Sequence, residues 1–347
     1  MRDIARAAGV SQSTVSRVLS GAPSPVQIGP DTRARVLAEA HALGYRPNPL
    51  ARGLRGASTM LIGAIVREIM DPFFALAIEA ITASATARGY NVVLGHAHGL
   101  ANEAIALRAV LETRHCDAIL VMGDMRDQPR LIEDLRASAV PTVALWQGFS
   151  VPGIATVNVD NGAGIRAALD ALTAAGHRRI AFVAARPTGD IQARRQAYLG
   201  YMKDAGLEVP EAYMPTHSND PDWGATAMEA LMRLDEPPTA VVAATDLLAI
   251  GALHGAHRAG LRVPDDVSVV GFDDIPLAAF TVPSLTTIQM PVAEMAAAAI
   301  RIAIDENGGG GDGTVGFQEV VAPRLVTRDS VGRVPSGRPV EMGAALR

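Results

Sequence analysis

Residues 11–21 read SQSTVSRVLSG: four serines, a threonine, a glutamine and an arginine set around Val15, Val18 and Leu19. Composition alone suits a loop. Spacing does not, because the three aliphatics fall at i, i+3 and i+4, one face of an α-helix. Ser11 is a suitable N-cap, since a serine hydroxyl accepts an amide hydrogen bond from the first turn. Gly21 ends the pattern. Gln12, Ser13, Ser16 and Arg17 then share the other side of the helix.

Working outward, Ile4, Ala5 and Ala8 form one face of a preceding helix, and Gly9 permits the positive φ of a tight turn. A third helical pattern runs from about Pro30, suited to N1, to Leu43. It predicts Val36, Leu37, Ala40 and Leu43 facing inward. Two helices joined by Gly9, Val10 and Ser11 make a helix-turn-helix pattern. Short polar side chains let a helix sit deep in a DNA major groove, where Gln and Arg can pair with adenine and guanine edges. Thr14 and Ser16 suit phosphate or base contacts. The same face would also suit the solvated side of a small bundle.

The segment 45–56, YRPNPLARGLRG, bears on that choice. Asn48 can cap and Pro49 fits N1, but only about two turns precede Gly56, and a helix under about 12 residues is marginal in water. Gly53 weakens it further. The segment is expected to fold only against a partner. Arg52 and Arg55 offer cations to phosphates, and Leu54 is an apolar tip of the kind that wedges between base steps in a minor groove.

Charge supports a polyanion at this end. The whole 347-residue chain has net charge −5, yet residues 1–56 hold eight arginines against Asp3, Asp31 and Glu39. A basic head on an acidic body is the expected asymmetry. No apolar run is long enough to span a membrane, and no apolar leader with a cleavage site opens the chain. Cys116 is the single cysteine, which fits a reducing compartment and reads as a small buried apolar residue. A cytoplasmic location is expected.

After Ser58 short aliphatic runs alternate with amphipathic helices. Strands are expected at 61–66, 91–94, 118–121, 142–145, 180–184, 240–243 and 267–270. Helices are expected at 74–88, 104–113, 165–175, 225–234 and 247–259. Such alternation means parallel sheets covered on both faces, and this many strands suits two sheets. Ligands then bind at the C-terminal ends of strands. Phe73 and Phe74, after the first strand, can offer an apolar face. Trp146, ending the fourth, can stack on a ring or pack in the core. Thr245 and Asp246 head a helix, where Asp246 could equally be a plain cap. His96 and His98 lack a third ligand and read as loop residues, so no metal is expected, and no cofactor motif is present. Glu306 to Gly316 reads as a flexible turn, and the Pro/Gly-rich residues 331–347 as a disordered tail.

DIARAAGVSQSTVSRVLSG, followed by TRARVLAEAHALGYRPNPLARGLRG, closely resembles the DNA-binding head and hinge helix of the LacI/GalR family of bacterial transcription regulators. DPFF at 71–74, VNVDN at 157–161, GHRRIAFV, ATDLLAIGAL, the stretch VPDDVSVVGFDDIPLAAFTVPSLTTIQMP and PRLVTRDS extend the resemblance along nearly the whole body. The loop GAPSPVQIGPD is longer than the family's usual one.

The resemblance implies an all-α helix-turn-helix head (1–46), a hinge (47–58), and a periplasmic-binding-protein-like α/β body of two doubly wound subdomains (59–330). The first subdomain would span about 59–160 and 289–319, the second about 161–288 and 320–330. The chain would cross between them near 160, 288 and 320.

By resemblance, Gln12, Ser13 and Arg17 read bases, with Ser11, Thr14, Ser16, Asn48, Arg52 and Arg55 supporting, and two copies of Leu54 enter the operator centre together. Arg194 and Asp273 align with effector-binding positions. A carboxylate accepts two hydroxyls and an arginine donates in a fixed fork, which together suit a polyol. Asp71, Phe73, Phe74, Trp146, Asp190, Asn219, Thr245 and Asp246 complete the implied effector set, with Thr188 beside Asp190. Thr245 stands where the family usually has Asn, and Asn219 where some sugar-responsive members have an aromatic ring. Asp273 could otherwise be a surface turn.

The implied function is a repressor, not an enzyme. It would bind near-palindromic operator DNA as a homodimer under control of a small effector, most readily a sugar or sugar derivative. The alanine-rich helices after DPFF and from Ile165 could pack across the two-fold axis. A transport-type binding protein shares the body pattern but has no use for residues 1–56.

Overall fold

The computed structural model describes residues 1–20, 28–45, 58–96, 116–124, 129–138, 140–146, 153–305 and 317–334. The expected hinge with Asn48, Arg52, Leu54 and Arg55 lies outside them, as do the expected helix at 104–113, His98, the turn at 306–316 and most of the tail.

The head is three helices, α1 (Arg2–Ala8), α2 (Gln12–Ser20) and α3 (Pro30–Ala42). Gly9 has φ 64°, the left-handed conformation the turn between α1 and α2 requires. Ile4, Ala5, Ala8, Val15, Val18, Val36 and Ala40 form the core. Leu37 and Leu43, expected inward, are 49% and 51% exposed. Val36 and Ala40, one turn apart, fill the face of α3 toward so small a core. Leu37 is rotated about 100° from Val36 and misses it.

The body is two six-stranded sheets. The first has the order β11-β5-β4-β3-β1-β2, all parallel, with β1 Leu61–Val66, β2 Asn91–His96, β3 Ala118–Met122, β4 Thr142–Leu145, β5 Ala155–Val159 and β11 Gln318–Val321. The second has the order β12-β10-β9-β8-β6-β7, with β6 Ile180–Ala185, β7 Thr216–His217, β8 Ala240–Ala243, β9 Ser268–Asp273, β10 Thr286–Gln289 and β12 Arg324–Val326. Only its edge strand β12 runs antiparallel. Strands covered on both faces are buried along their length: β3, β4, β6 and β8 are buried at every residue.

The helices are α4 (Pro72–Thr86), α5 (Pro129–Ala137), α6 (Asn161–Ala174), α7 (Gly189–Asp204), α8 (Pro221–Met232), α9 (Asp246–Arg258) and α10 (Val292–Ile304). Several begin before the apolar spacing does, because their first turns are polar caps. Asp71, Asp160, Asp220 and Thr245 each accept a backbone amide at the N-cap. Helices α8 and α9 pack backbone to backbone: a Cβ on Gly224, Gly251 or Gly255 would meet the carbonyls of Leu248, Pro221 and Ala225 respectively. The chain passes between sheets after β5, after β10 and between β11 and β12, so three strands of chain join the two lobes.

Candidate functional site

In the head, Ser11 Oγ accepts the Thr14 amide at 3.1 Å and lies 2.9 Å from Thr14 Oγ1. Ser11 is thus occupied in starting α2. Gln12, Ser13 and Arg17 are exposed, and Thr14 and Ser16 half-buried, on the side away from Val15 and Val18. The structure therefore presents a short-chained polar face carrying Gln and Arg.

In the body, a cavity of about 800 Å³ opens where the C-terminal ends of both sheets meet. Its lining contains every expected effector residue except Asp246: Asp71, Phe73, Phe74, Trp146, Asp190, Arg194, Asn219, Thr245 and Asp273. Thr188 lines it as well, with Arg67, Glu68, Asp124 and Arg186, which sequence reasoning did not single out.

One wall is aromatic. Phe73, Phe74 and Trp146 meet edge to face, with centroid separations of 5.2, 5.3 and 6.2 Å. The pocket and core readings of Trp146 merge here, since it is 3% exposed yet lines the cavity. It sits at φ 58°, and its Nε1 is buried without a hydrogen-bond partner among the described residues.

The opposite wall is a polar cluster around Arg194, itself 3% exposed. Its Nε donates to Asn161 Oδ1 at 2.9 Å, and its Nη1 donates to the Ala244 carbonyl at 2.6 Å and to Asp273 Oδ1 at 3.2 Å. The guanidinium lies 3.6 Å from the centroid of the Phe272 ring, a favourable stack. Asn161 also donates to Asp190 Oδ1 at 2.7 Å. Asn161, Phe272 and the Ala244 carbonyl were not singled out from sequence. Asn161 was legible only as the last letter of VNVDN.

Asp273 ends β9 at φ 122°, a conformation costly for a residue with a side chain. It is 6% exposed, so the surface-turn reading does not hold. Burial pushes its carboxyl well above the usual range, although Arg194 opposes this. Burial also raises Asp190, against Arg194 and Asn161, and raises Asp71, against the Phe73 amide. Three carboxylates and one buried guanidinium thus converge.

Asp71 caps α4 through Oδ1, and its Oδ2 accepts from Asn219 Nδ2 at 3.1 Å. Thr245 Oγ1 donates to Asn219 Oδ1 at 2.7 Å. This chain of bonds joins the two lobes at the cavity.

Asp246 is a correction. It is fully buried and lies outside the cavity lining. Its Oδ1 accepts from Thr287 Oγ1 at 2.5 Å and its Oδ2 from the Ile275 amide at 2.8 Å. Thr245, not Asp246, caps α9, and Asp246 as first helical residue points under β9, where a Cβ on Gly271 would collide with its carboxylate. It ties the loop after β9 to β10.

A helix-turn-helix head and a two-lobed α/β body define a DNA-binding transcriptional regulator, and comparison with known proteins agrees. Residues 1–48 match the family described as bacterial regulatory proteins, lacI family, and residues 169–331 match the periplasmic binding protein-like domain. The HTH-type transcriptional regulator MalR of Streptomyces coelicolor is 37% identical over 351 residues, covering 98% of this chain and 99% of that protein. A solved transcriptional regulator, CelR in complex with cellobiose, is 29% identical with TM-score 0.70, covering 94% and 98% of the two chains. The lac repressor dimer bound to operator and an anti-inducer shares the fold, with TM-score 0.82 at 24% identity over 95% and 98%. The chain belongs to the LacI family of bacterial regulatory proteins. Regulators of this family are not enzymes; they bind operator DNA and small-molecule effectors. No helix among the described residues is long and apolar enough to cross a membrane.

Proposed function

We propose that this chain is a cytoplasmic repressor that binds a near-palindromic operator as a homodimer, with an affinity set by a small effector held between the lobes. Gln12, Ser13 and Arg17 read base edges; Ser11, Thr14 and Ser16 position the helix. Asn48, Arg52, Leu54 and Arg55 complete the DNA contact in the hinge. Two heads on one dimer address two half-sites.

The effector is a sugar or sugar derivative. The observation that carries this is the convergence of an aromatic wall with the Arg194, Asp190 and Asp273 cluster in one cleft. Carboxylates and a guanidinium fork match vicinal hydroxyls, and rings pack on the C–H faces of a pyranose. A cavity of about 800 Å³ is in the range of small-molecule sites. The cellobiose complex of the similar regulator supports the same class. Binding at two lobes joined by a hinge biases their closure, and effector and operator are then linked reciprocally.

A gel shift on the DNA upstream of the chain's own gene tests the reading. Full-length protein is expected to retard a discrete fragment, Arg17→Ala to weaken that complex about tenfold or more, and Asp273→Ala to keep operator binding while losing effector response. A protein that ignores all such DNA would sink the proposal.

A further inference from the structure

The charges in the cleft restrict what can enter it. Asp71 from one lobe and Asp273 from the other both line the cleft, where the Asp71 charge disfavours ionisation of Asp273, and Asp124, just after β3, disfavours that of Asp190. Glu68 and Asp220 add acid at the rim. Against these, Arg194 is the deeply buried cation of the lining among the described residues. Its Nε and Nη1 are committed to Asn161, Ala244 and Asp273, and its Nη2 meets only the Met290 sulfur at 3.8 Å. Arg67 donates to the Asp124 carbonyl, and Arg186 lies exposed at the mouth.

The unused capacity is of the other kind. Asp190 and Asp273 each bond through Oδ1, and their Oδ2 atoms have no partner among the described residues. An anionic group placed here would face converging carboxylates with little donor capacity to pair it, and desolvated like charges are strongly unfavourable. A hydroxyl or ammonium would donate to those oxygens and relieve the repulsion across the gap.

We infer that the cleft selects by charge: its ligand is an uncharged polyhydroxyl compound or one bearing an amine, and phosphorylated or carboxylated compounds are excluded. This rests on the cleft being the effector site. It deepens that reading by assigning the discrimination to Asp71, Asp190 and Asp273. Such a ligand would also favour closure, because donors reaching Asp71 on one lobe and Asp190 or Asp273 on the other would bridge the two.

The experiment is calorimetric titration and thermal shift on the full-length protein. The probes are cellobiose, maltose, glucose and glucosamine, with the 6-phosphate and the aldonic acid of each neutral sugar. Any neutral or amine-bearing probe that binds is expected to do so about a hundredfold more tightly than its anionic derivatives. Asp190→Asn is expected to narrow that gap about tenfold, chiefly by admitting the anion. An anionic probe that matches or exceeds its parent, or an Asp190→Asn variant with an unchanged gap, overturns the inference. So does the failure of every neutral and amine-bearing probe at millimolar concentration. A gel shift on the same preparation separates the two ideas. Operator binding without polyol binding removes the ligand class and leaves the regulator, whereas charge-selective binding without operator binding does the reverse.

Discussion

Asp246 and Asp273 show how burial assigns different work to one residue type. Both end up out of water, yet Asp273 opens onto the cavity and Asp246 does not. Desolvation raises Asp246 to about 6 despite bonds from Thr287 and the Ile275 amide. A folded-state pKa above the unfolded one means the folded state binds more protons, so the ionised form costs stability above about pH 6 and that cost fades toward pH 4. Its hydrogen bonds still hold the loop behind Asp273 in place. Asp246→Ala is expected to lower stability by about 2–3 kcal/mol by stranding two buried donors. Thermal denaturation checks this, and an unchanged midpoint would show that the loop does not depend on it. The choice between Thr245 and Asp246 as cap was not legible from sequence, since adjacent residues of capping type differ only in which one has extended backbone.

At the scale of elements, the link between α6, β8, β9 and the C-terminal segment runs through one side chain. His177 is buried between Thr239 Oγ1 at 2.9 Å, Ser268 Oγ at 3.0 Å and the Gly332 carbonyl at 3.1 Å. Burial lowers its pKa, partly offset by the Gly332 carbonyl. A folded pKa below the unfolded value means the unfolded chain takes up the proton first. Stability is therefore complete above about pH 6.5 and declines as pH falls below it. His177→Gln is expected to flatten that part of the stability profile in urea titrations at pH 5 and pH 7.5. An identical slope in wild type and variant would exclude His177 as its source. The aliphatic strands β1, β3, β6 and β8 were the most legible feature of the body, whereas β5, β10 and β11, which carry Asn158, Thr286, Thr287, Gln318 and Glu319, were not, because a buried strand can satisfy polar side chains with partners that local sequence does not show. Helix starts were less legible, because a cap is polar and breaks the apolar period before the helix does. In the head, Leu37 and Leu43 kept the period but exceeded what a core of seven small and medium side chains could cover.

For the molecule as a whole, the proposed closure of the lobes would turn on few groups. Asn219 donates across the cleft to Asp71, 148 residues away in the chain, and Thr245 holds Asn219 in position. A hydrogen bond to a charged acceptor contributes about 1.5–3 kcal/mol, which is enough to shift a two-state closure equilibrium about tenfold or more. Asn219→Ala is expected to leave the ligand-free protein more open, seen as a larger radius of gyration in small-angle scattering, with closure recovered on adding a saturating effector. Equal radii for variant and wild type would mean the bond is incidental to closure.

Local pattern by itself determined the helix-turn-helix head, the alternation of strands and helices, and the basic-to-acidic division of the chain, because each depends on residues within a few turns of one another. Strand order and resemblance together pointed to nine side chains that meet in one cavity. Only the tertiary structure decided that Arg194 spends most of its fork on Asn161, Ala244 and Asp273, that Asp246 turns away beneath β9, and that Asp71 and Asn219 close on each other. Those facts depend on which strands neighbour in two separate sheets and on how far each carboxylate is drawn out of water. Pairing and desolvation are properties of the packed chain, and no local spacing encodes them.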